Sequence, residues 1–429
     1  MRVATLQPSR QKQANLTLRG CRKEVALAIT VFSKELFAVP VGGSEVDVYQ
    51  LCIAGIGCFM LSRPRQQTGL VISAAATVLL TLLLYRQYNF AISATLMRQV
   101  GAVSFLLFGT GAYVLTCSRR RLLYAYYRVC YYAALLGLLQ MVLSLIGLQV
   151  LIRLPLRLDS LAAEPSHYAV AIAPCVYYCV RNFQTSTRKN ETYVILASLV
   201  LTVSATAVAV LVISVALAFF RRRGFLAIIA GMLAFPILIN VPPDIFPHAI
   251  ATRITDMREH VQSQDRPWES LNLTVVSFAT NFDVMWSTIE QGHVFGNGFC
   301  GHSQAYHRHY DGTAFLDHHH YGINSIPAHC LLIRIVSEFG LPGLLLLVWT
   351  IGRFIMQHRS DVWSMFFVMA LLSRGFKLGS WIDYGLPIFL LAPFYFRGRI
   401  AVTSKREMPR TPSTMRTVPR RSTRLNGVT

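Results

Sequence analysis

The chain has 429 residues, of which 53% are hydrophobic and only 14% charged, with a mean hydropathy of +0.44. Ordinary soluble domains carry about 25% charged residues, so this composition excludes a water-soluble globular protein and predicts an all-α, polytopic integral membrane protein. The net charge of +21 does not indicate nucleic acid: the basic residues stand in short runs between apolar segments, as the positive-inside rule requires of cytoplasmic loops.

Residues 1–24 form a basic N-terminal segment (Arg10, Lys12, Arg19, Arg22, Lys23) that lacks the apolar core and small-residue cleavage site of a removable signal peptide. A crossing needs about 20 apolar residues. With the N-terminus inside, 25–41 leads out, 47–62 returns to the basic SRPRQQ, 69–85 leads out, 100–116 returns to SRRR and 129–152 leads out. Segment 168–180 comes back to Arg181, Arg188 and Lys189. The run 193–220 begins and ends at basic clusters, so it crosses an even number of times and breaks near Ser204-Ala205-Thr206. After 225–241 comes one large hydrophilic loop, 242–325, assigned to the periplasm. Crossings at 328–356, 361–373 and 384–396 complete a membrane domain of about 12 spans, divided into 25–241 and 326–396. The Arg/Pro/Ser/Thr-rich tail 397–429 has too few apolar residues to fold and suits contact with anionic lipid heads at the cytoplasmic face.

Most of the 12 histidines lie between His248 and His329. Imidazoles in that density raise the question of a metal. There is no HExxH and no companion cysteine or carboxylate at ligand spacing, so no metal or other cofactor is assigned. Of the nine cysteines, none in a CxxC pair, only Cys300 and Cys330 fall near the outer face, where a disulfide between them could form. Gly296-Asn297-Gly298-Phe299-Cys300-Gly301 matches GxGxxG literally but has no βαβ context, and reads as a tight turn letting backbone approach a ligand or another segment.

Three places put ionisable groups where a membrane protein normally avoids them. Arg153 and Arg157 occupy an outer loop against the positive-inside bias, and arginine's planar fork suits phosphate. In the same loop, Glu164-Pro165-Ser166-His167 sets a carboxylate three residues from an imidazole. His329 opens an apolar helix in which Arg334 and Glu338 share a face at i,i+4. A neutral histidine at the water edge can accept a proton.

The ordered combination of RLDSLAAEPSHYAVAIAP, WSTIEQGHVFGNGFCG and PAHCLLIRIVSEFGLPGLLLL resembles the O-antigen ligase and polysaccharide polymerase (Wzy-type) membrane family over about residues 25–396. Its length and the ending SRGFKLGSWIDYGLPIFLLAPFY are similar to polymerases of xanthan-type gums. The resemblance implies a metal-independent membrane glycosyltransferase in the bacterial inner membrane that polymerises undecaprenyl-diphosphate-linked oligosaccharides for exopolysaccharide. It implies His329 and Arg157 as catalytic residues, with Glu338, Gly340 and Gly343 in the helix pattern. Arg153, Glu164, His167, Trp286, Arg308, Tyr321, Arg334 and Glu338 are the substrate-binding expectations. Tyr306, Tyr310, Tyr321, Trp268 and Trp286 are expected as sugar-stacking surfaces in a loop that closes over the substrate. Where the family often has a second arginine shortly before the tryptophan, this chain reads Ala279-Thr280-Asn281-Phe282-Asp283-Val284-Met285 before Trp286, which leaves Arg253, Arg258, Arg266 and Arg308 as substitutes. Implied partners are the lipid-linked oligosaccharide, the bilayer, and chain-length regulator and export proteins, with no nucleic acid. A ligase joining glycan to lipid A core, a flippase or transporter, and a non-catalytic export scaffold are the alternatives.

Overall fold

A computed structural model of the chain describes residues 17–41, 44–60, 79, 94–148, 158–162, 164–219, 255 and 273–406. Over these the protein is mostly helical. Its helices are α1 (Arg22–Ile29), α2 (Lys34–Phe37), α3 (Val48–Met60), α4 (Ala94–Thr116), α5 (Arg119–Leu145), α6 (Pro165–Arg181), α7 (Lys189–Leu201) and α8 (Ala205–Phe219). They continue with α9 (Leu273–Glu290), α10 (His302–Tyr310), α11 (Leu331–His358), α12 (Val362–Arg374) and α13 (Leu386–Arg406). A two-stranded antiparallel ribbon, β1 (Ala38–Val41) and β2 (Ser44–Asp47), pairs Ala38 with Asp47 and Val41 with Ser44.

Among the described residues, three helices are long and apolar enough to cross a membrane: Leu96–Thr116, Arg119–Leu145 and Leu331–His358. Three shorter apolar helices are Val48–Met60, Ala205–Phe219 and Val362–Arg374. The expected crossings at 69–85 and 225–241, the first part of the large loop and the tail beyond Arg406 lie outside the described residues, apart from Leu79 and Thr255.

Four expectations are corrected. The apolar run 25–41 is not one helix: α1 stops at Ile29, and the polar Ser33-Lys34 stretch and Pro40 give way to a short helix and a strand. The basic run after residue 117 is not a loop, because Arg119–Arg121 form the first turn of α5 directly after α4. The segment 242–325 is not wholly loop, since α9 and α10 fall in its second half. Helix α13 continues through the first ten residues assigned to the tail, to Arg406. The break expected in 193–220 is present: α7 ends at Leu201, Val203 takes φ 46°, and α8 starts at Ala205.

Helix α6 is the centre of the main core. Tyr168 to Val180 are buried almost continuously, against α8 on one side and α12 on another. Between apolar helices in lipid there is no water to expel, so the gain comes from close van der Waals packing and shared hydrogen bonds. Tyr126 Oη donates to the Ala171 carbonyl (3.0 Å), and Tyr168 Oη pairs with Ser198 Oγ (2.9 Å). Helices α3 and α4 approach closely at Gly57 and Gly109, where a Cβ on either would strike the other helix's backbone.

The polar ends of the bundle sort into two groups. At one, Arg119 pairs with Asp361, Arg128 with Glu191 (2.6 Å), and Arg181 donates to the Arg359 carbonyl (2.9 Å). At the opposite ends of α6 and α12 lie Glu164, His167, Lys377 and Asp383. Among the described residues, the basic turns at Arg119 and Arg181 thus share one end, and Glu164, His167, Lys377 and Asp383 the other.

Candidate functional site

His329 sits in the short segment before α11, held from two sides. Ala328 takes a left-handed φ of 58°, and the carbonyls of Pro327, Ala328 and Cys330 lie so close to Gly379 that no Cβ fits there. From the other side, Ser277 of α9 places Oγ 3.0 Å from His329 Nδ1, and Asn324 Nδ2 donates to the same Oγ at 2.6 Å. A serine oxygen has two lone pairs, enough for both Asn324 and a His329 Nδ1–H; in that tautomer Nε2 keeps its lone pair. The ring of Phe278 meets the imidazole edge to face at 5.6 Å. Burial, followed by the positive charge of Lys377, pushes His329 down to about 3, so the ring is neutral at neutral pH.

The charges acting on His329 belong to a second cluster at the start of α6. Glu164 Oε2 lies 3.3 Å from Lys377 Nζ and 3.7 Å from His167 Nε2, and accepts from Ser166 Oγ at 2.9 Å. His167 Nδ1 is 3.1 Å from Tyr384 Oη, and next to Tyr384 the carboxylate of Asp383 takes Lys34 Nζ at 2.7 Å. Burial opposes charge on Glu164, but Lys377 and His167 outweigh it and hold the carboxyl below its usual range. Pro165 fits this corner because the first helical position needs no N–H. Glu164 and His167, far from His329 in sequence, thus come within electrostatic reach of it.

Arg334 and Glu338 pair with each other, as their i,i+4 spacing allows. Arg334 Nε pairs with Glu338 Oε1 at 2.7 Å, its Nη1 donates to the Gly379 carbonyl (3.2 Å), and Trp381 Nε1 donates to Glu338 Oε2 (2.9 Å). Both side chains are buried. They fasten α11 to the 379–381 segment. The helix breaks two residues later at Gly340 (φ 64°, ψ −159°). Into the break fits the glycine turn: Asn297 N–H donates to the Ser337 carbonyl, Gly298 N–H to Glu338, and Leu341 N–H returns to Val294. The GxGxxG look-alike is therefore a turn that meets another segment of the same chain.

The stacking residues divide. Tyr306 and Tyr310 are buried with Phe315 in a closed aromatic cluster, so neither presents a face to a sugar, which corrects that expectation. Tyr321 borders the cluster and pairs its hydroxyl with His307 Nδ1 at 2.7 Å. Trp286 is half exposed on α9. Arg308 is exposed on α10 at a shallow polar cleft shared with Ser287, Gln291 and His309. Cys300 and Cys330 are both buried free thiols, so the disulfide is absent. Among the described residues no three His, Cys, Asp or Glu side chains are grouped to hold a metal ion. Arg153 and Arg157, with Trp268, Arg253, Arg258 and Arg266, lie outside the described residues.

Sequence reasoning missed Lys377, Tyr384, Asp383, Lys34, Ser277 and Asn324. Lys377 carried a usable signal, a cation in a segment assigned to the outer face, the same violation that singled out Arg153 and Arg157. Ser277 and Asn324 carried none.

Comparison with protein-family models, with curated proteins and with solved structures gives no match. The resemblance to the ligase and polymerase family therefore rests on its sequence motifs.

Proposed function

We propose that the chain is a membrane glycosyltransferase that polymerises lipid-linked oligosaccharide repeat units, moving a growing glycan from a polyprenyl diphosphate to a sugar hydroxyl of the next repeat. The observation that carries this reading is a neutral, oriented His329 within electrostatic reach of the Glu164–Lys377–His167–Tyr384 cluster. Such a transfer needs a base for the attacking hydroxyl and fixed positive charge for the departing diphosphate, and no redox partner. His329 Nε2 takes the proton. Lys377, whose charge acts on the ring, is a fixed cation of the neighbouring cluster, and the family resemblance supplies Arg157 as a second. A dianionic leaving group bound beside His329 would itself raise the basicity of the ring, countering the effect of burial.

The test is the glycolipid and polymer profile of a deletion strain complemented with wild type or His329→Ala at matched membrane levels. The expected outcome is accumulation of single lipid-linked repeats and a fall in polymer formation of about 10²- to 10⁴-fold, the range for loss of a general base. Long lipid-linked chains that stay unattached to lipid A core would identify a ligase instead. Polymer equal to wild type would remove His329 from the mechanism.

A further inference from the structure

Helix α9 carries an aromatic stripe that the proposed reaction has not used. Phe278, Phe282 and Trp286 follow at i, i+4 and i+8, so they share one face. Their rings stack in sequence, Phe278 on Phe282 at 5.8 Å and 23°, Phe282 on Trp286 at 6.4 Å and 9°. Phe282 is 39% and Trp286 50% exposed. The inner end of the stripe touches the His329 imidazole through Phe278, and the outer end is Trp286, whose Nε1 donates to the exposed carboxylate of Glu290 at 2.6 Å.

Two observations speak against lipid as the occupant of this face. Helix α9 is 18 residues long yet is not among the helices apolar enough to cross a membrane, and it bears Asp283 and Glu290. The exposed rings also stand between polar groups, Glu290 at one end and the Ser277–Asn324–His329 hydrogen bonds at the other. Stacked rings flanked by carboxylate and amide suit a ligand with apolar faces and a polar rim. A sugar ring has this form, with C–H faces and peripheral hydroxyls.

We infer that Phe278, Phe282 and Trp286 form a glycan-stacking track along α9 that guides successive sugar rings to His329, with Glu290 taking hydroxyls at its outer end. This rests on the proposed polymerase reading and adds to it where the saccharide lies. The track orders the substrate and takes no part in bond making, so its loss weakens engagement of the glycan and leaves the base intact.

The experiment compares Phe282→Leu/Trp286→Leu, which keeps the face apolar but removes the rings, with Phe282→Tyr/Trp286→Phe, which keeps them. Each is expressed full length in the deletion strain beside wild type and His329→Ala, with membrane protein quantified and polymer length resolved on gels. The Leu pair should lower polymer about tenfold or more and shorten the chains, with protein level unchanged, while the aromatic pair restores most of that loss. Normal polymer from the Leu pair, with His329→Ala null, would overturn the track alone. Loss of protein from the membrane in the Leu pair, but not in the aromatic pair, would assign the rings to packing or anchoring and overturn it too. If the deletion itself leaves glycans unchanged, the polymerase reading fails and the track falls with it.

Discussion

At the scale of single residues, the protonation of His329 decides the chemistry open to it. Burial lowers it from the ordinary value near 6.5 to about 3, so only the base form is populated across neutral pH. The acid limb of the kcat/KM profile, which reports the free enzyme, should therefore show no inflection at 6.5; a midpoint there would mean the ring is solvated before substrate binds. The same shift acts on stability. Above pH 6.5 folded and unfolded states bind the same number of protons at this group, and between 6.5 and about 3 only the unfolded state gains one, so stability falls as pH drops through that window. His302, buried and beside Arg334, is also pushed down to about 3 and adds to the effect. His329→Asn should flatten the acid side of a Tm-against-pH curve; an unchanged slope would show that the imidazole is not held neutral. Ser277→Ala leaves Asn324 Nδ2 and His329 Nδ1 without their shared oxygen. It should cut polymer formation about tenfold, short of the loss on removing the base itself.

At the scale of elements, the break in α11 separates two jobs. The part beyond it, residues 341–358, is about 27 Å long at 1.5 Å per residue, close to a bilayer's hydrocarbon thickness. The stretch before it, with Arg334 and Glu338, is free to pack on α9 and the 379–381 segment. Gly340 combines positive φ with extended ψ, a region essentially restricted to glycine, and a Cβ there would run into the Val294 carbonyl. Gly340→Ala should cost about 1–3 kcal/mol from the dihedral alone, plus the collision, read as a lower Tm in detergent. Wild-type Tm would mean the break is not fixed by this residue. Removing one partner of the buried Arg334–Glu338 pair strands the other charge, at a cost of about 3–5 kcal/mol. Arg334→Met should therefore destabilise more than the double change Arg334→Met/Glu338→Leu, and the reverse order would show that the pair is not buried in the folded protein.

At the scale of the whole molecule, the expectation that the two polar ends of the bundle face opposite sides of a membrane can be tested directly. Phe183, after α6, lies at the basic end, and Phe376, after α12, lies beside Lys377; both are exposed. In a background with Cys52, the exposed natural cysteine, replaced, Phe183→Cys and Phe376→Cys should react with a membrane-impermeant maleimide from opposite sides. Phe376→Cys should label in intact cells and Phe183→Cys only after permeabilisation. Labelling of both from one side would mean that α6 and α12 do not cross.

The sequence by itself determined the helical membrane character, the break between α7 and α8, and the start of α11 just after His329. These depend on local composition and on backbone demands that a few neighbouring residues set. It also marked Glu164, His167 and His329, because ionisable groups beside apolar helices are conspicuous one at a time. Only the tertiary structure decided that Glu164 and His167 meet Lys377 near His329, that Ser277 orients the imidazole, and that Arg334 and Glu338 fasten α11 instead of facing outward. Each of those outcomes depends on which helices pack together, and a serine or lysine looks the same in sequence whether it meets a histidine or solvent. The same holds for the tyrosines: Tyr306 and Trp286 are both aromatic residues of one polar segment, and packing alone closes the first away and leaves the second open.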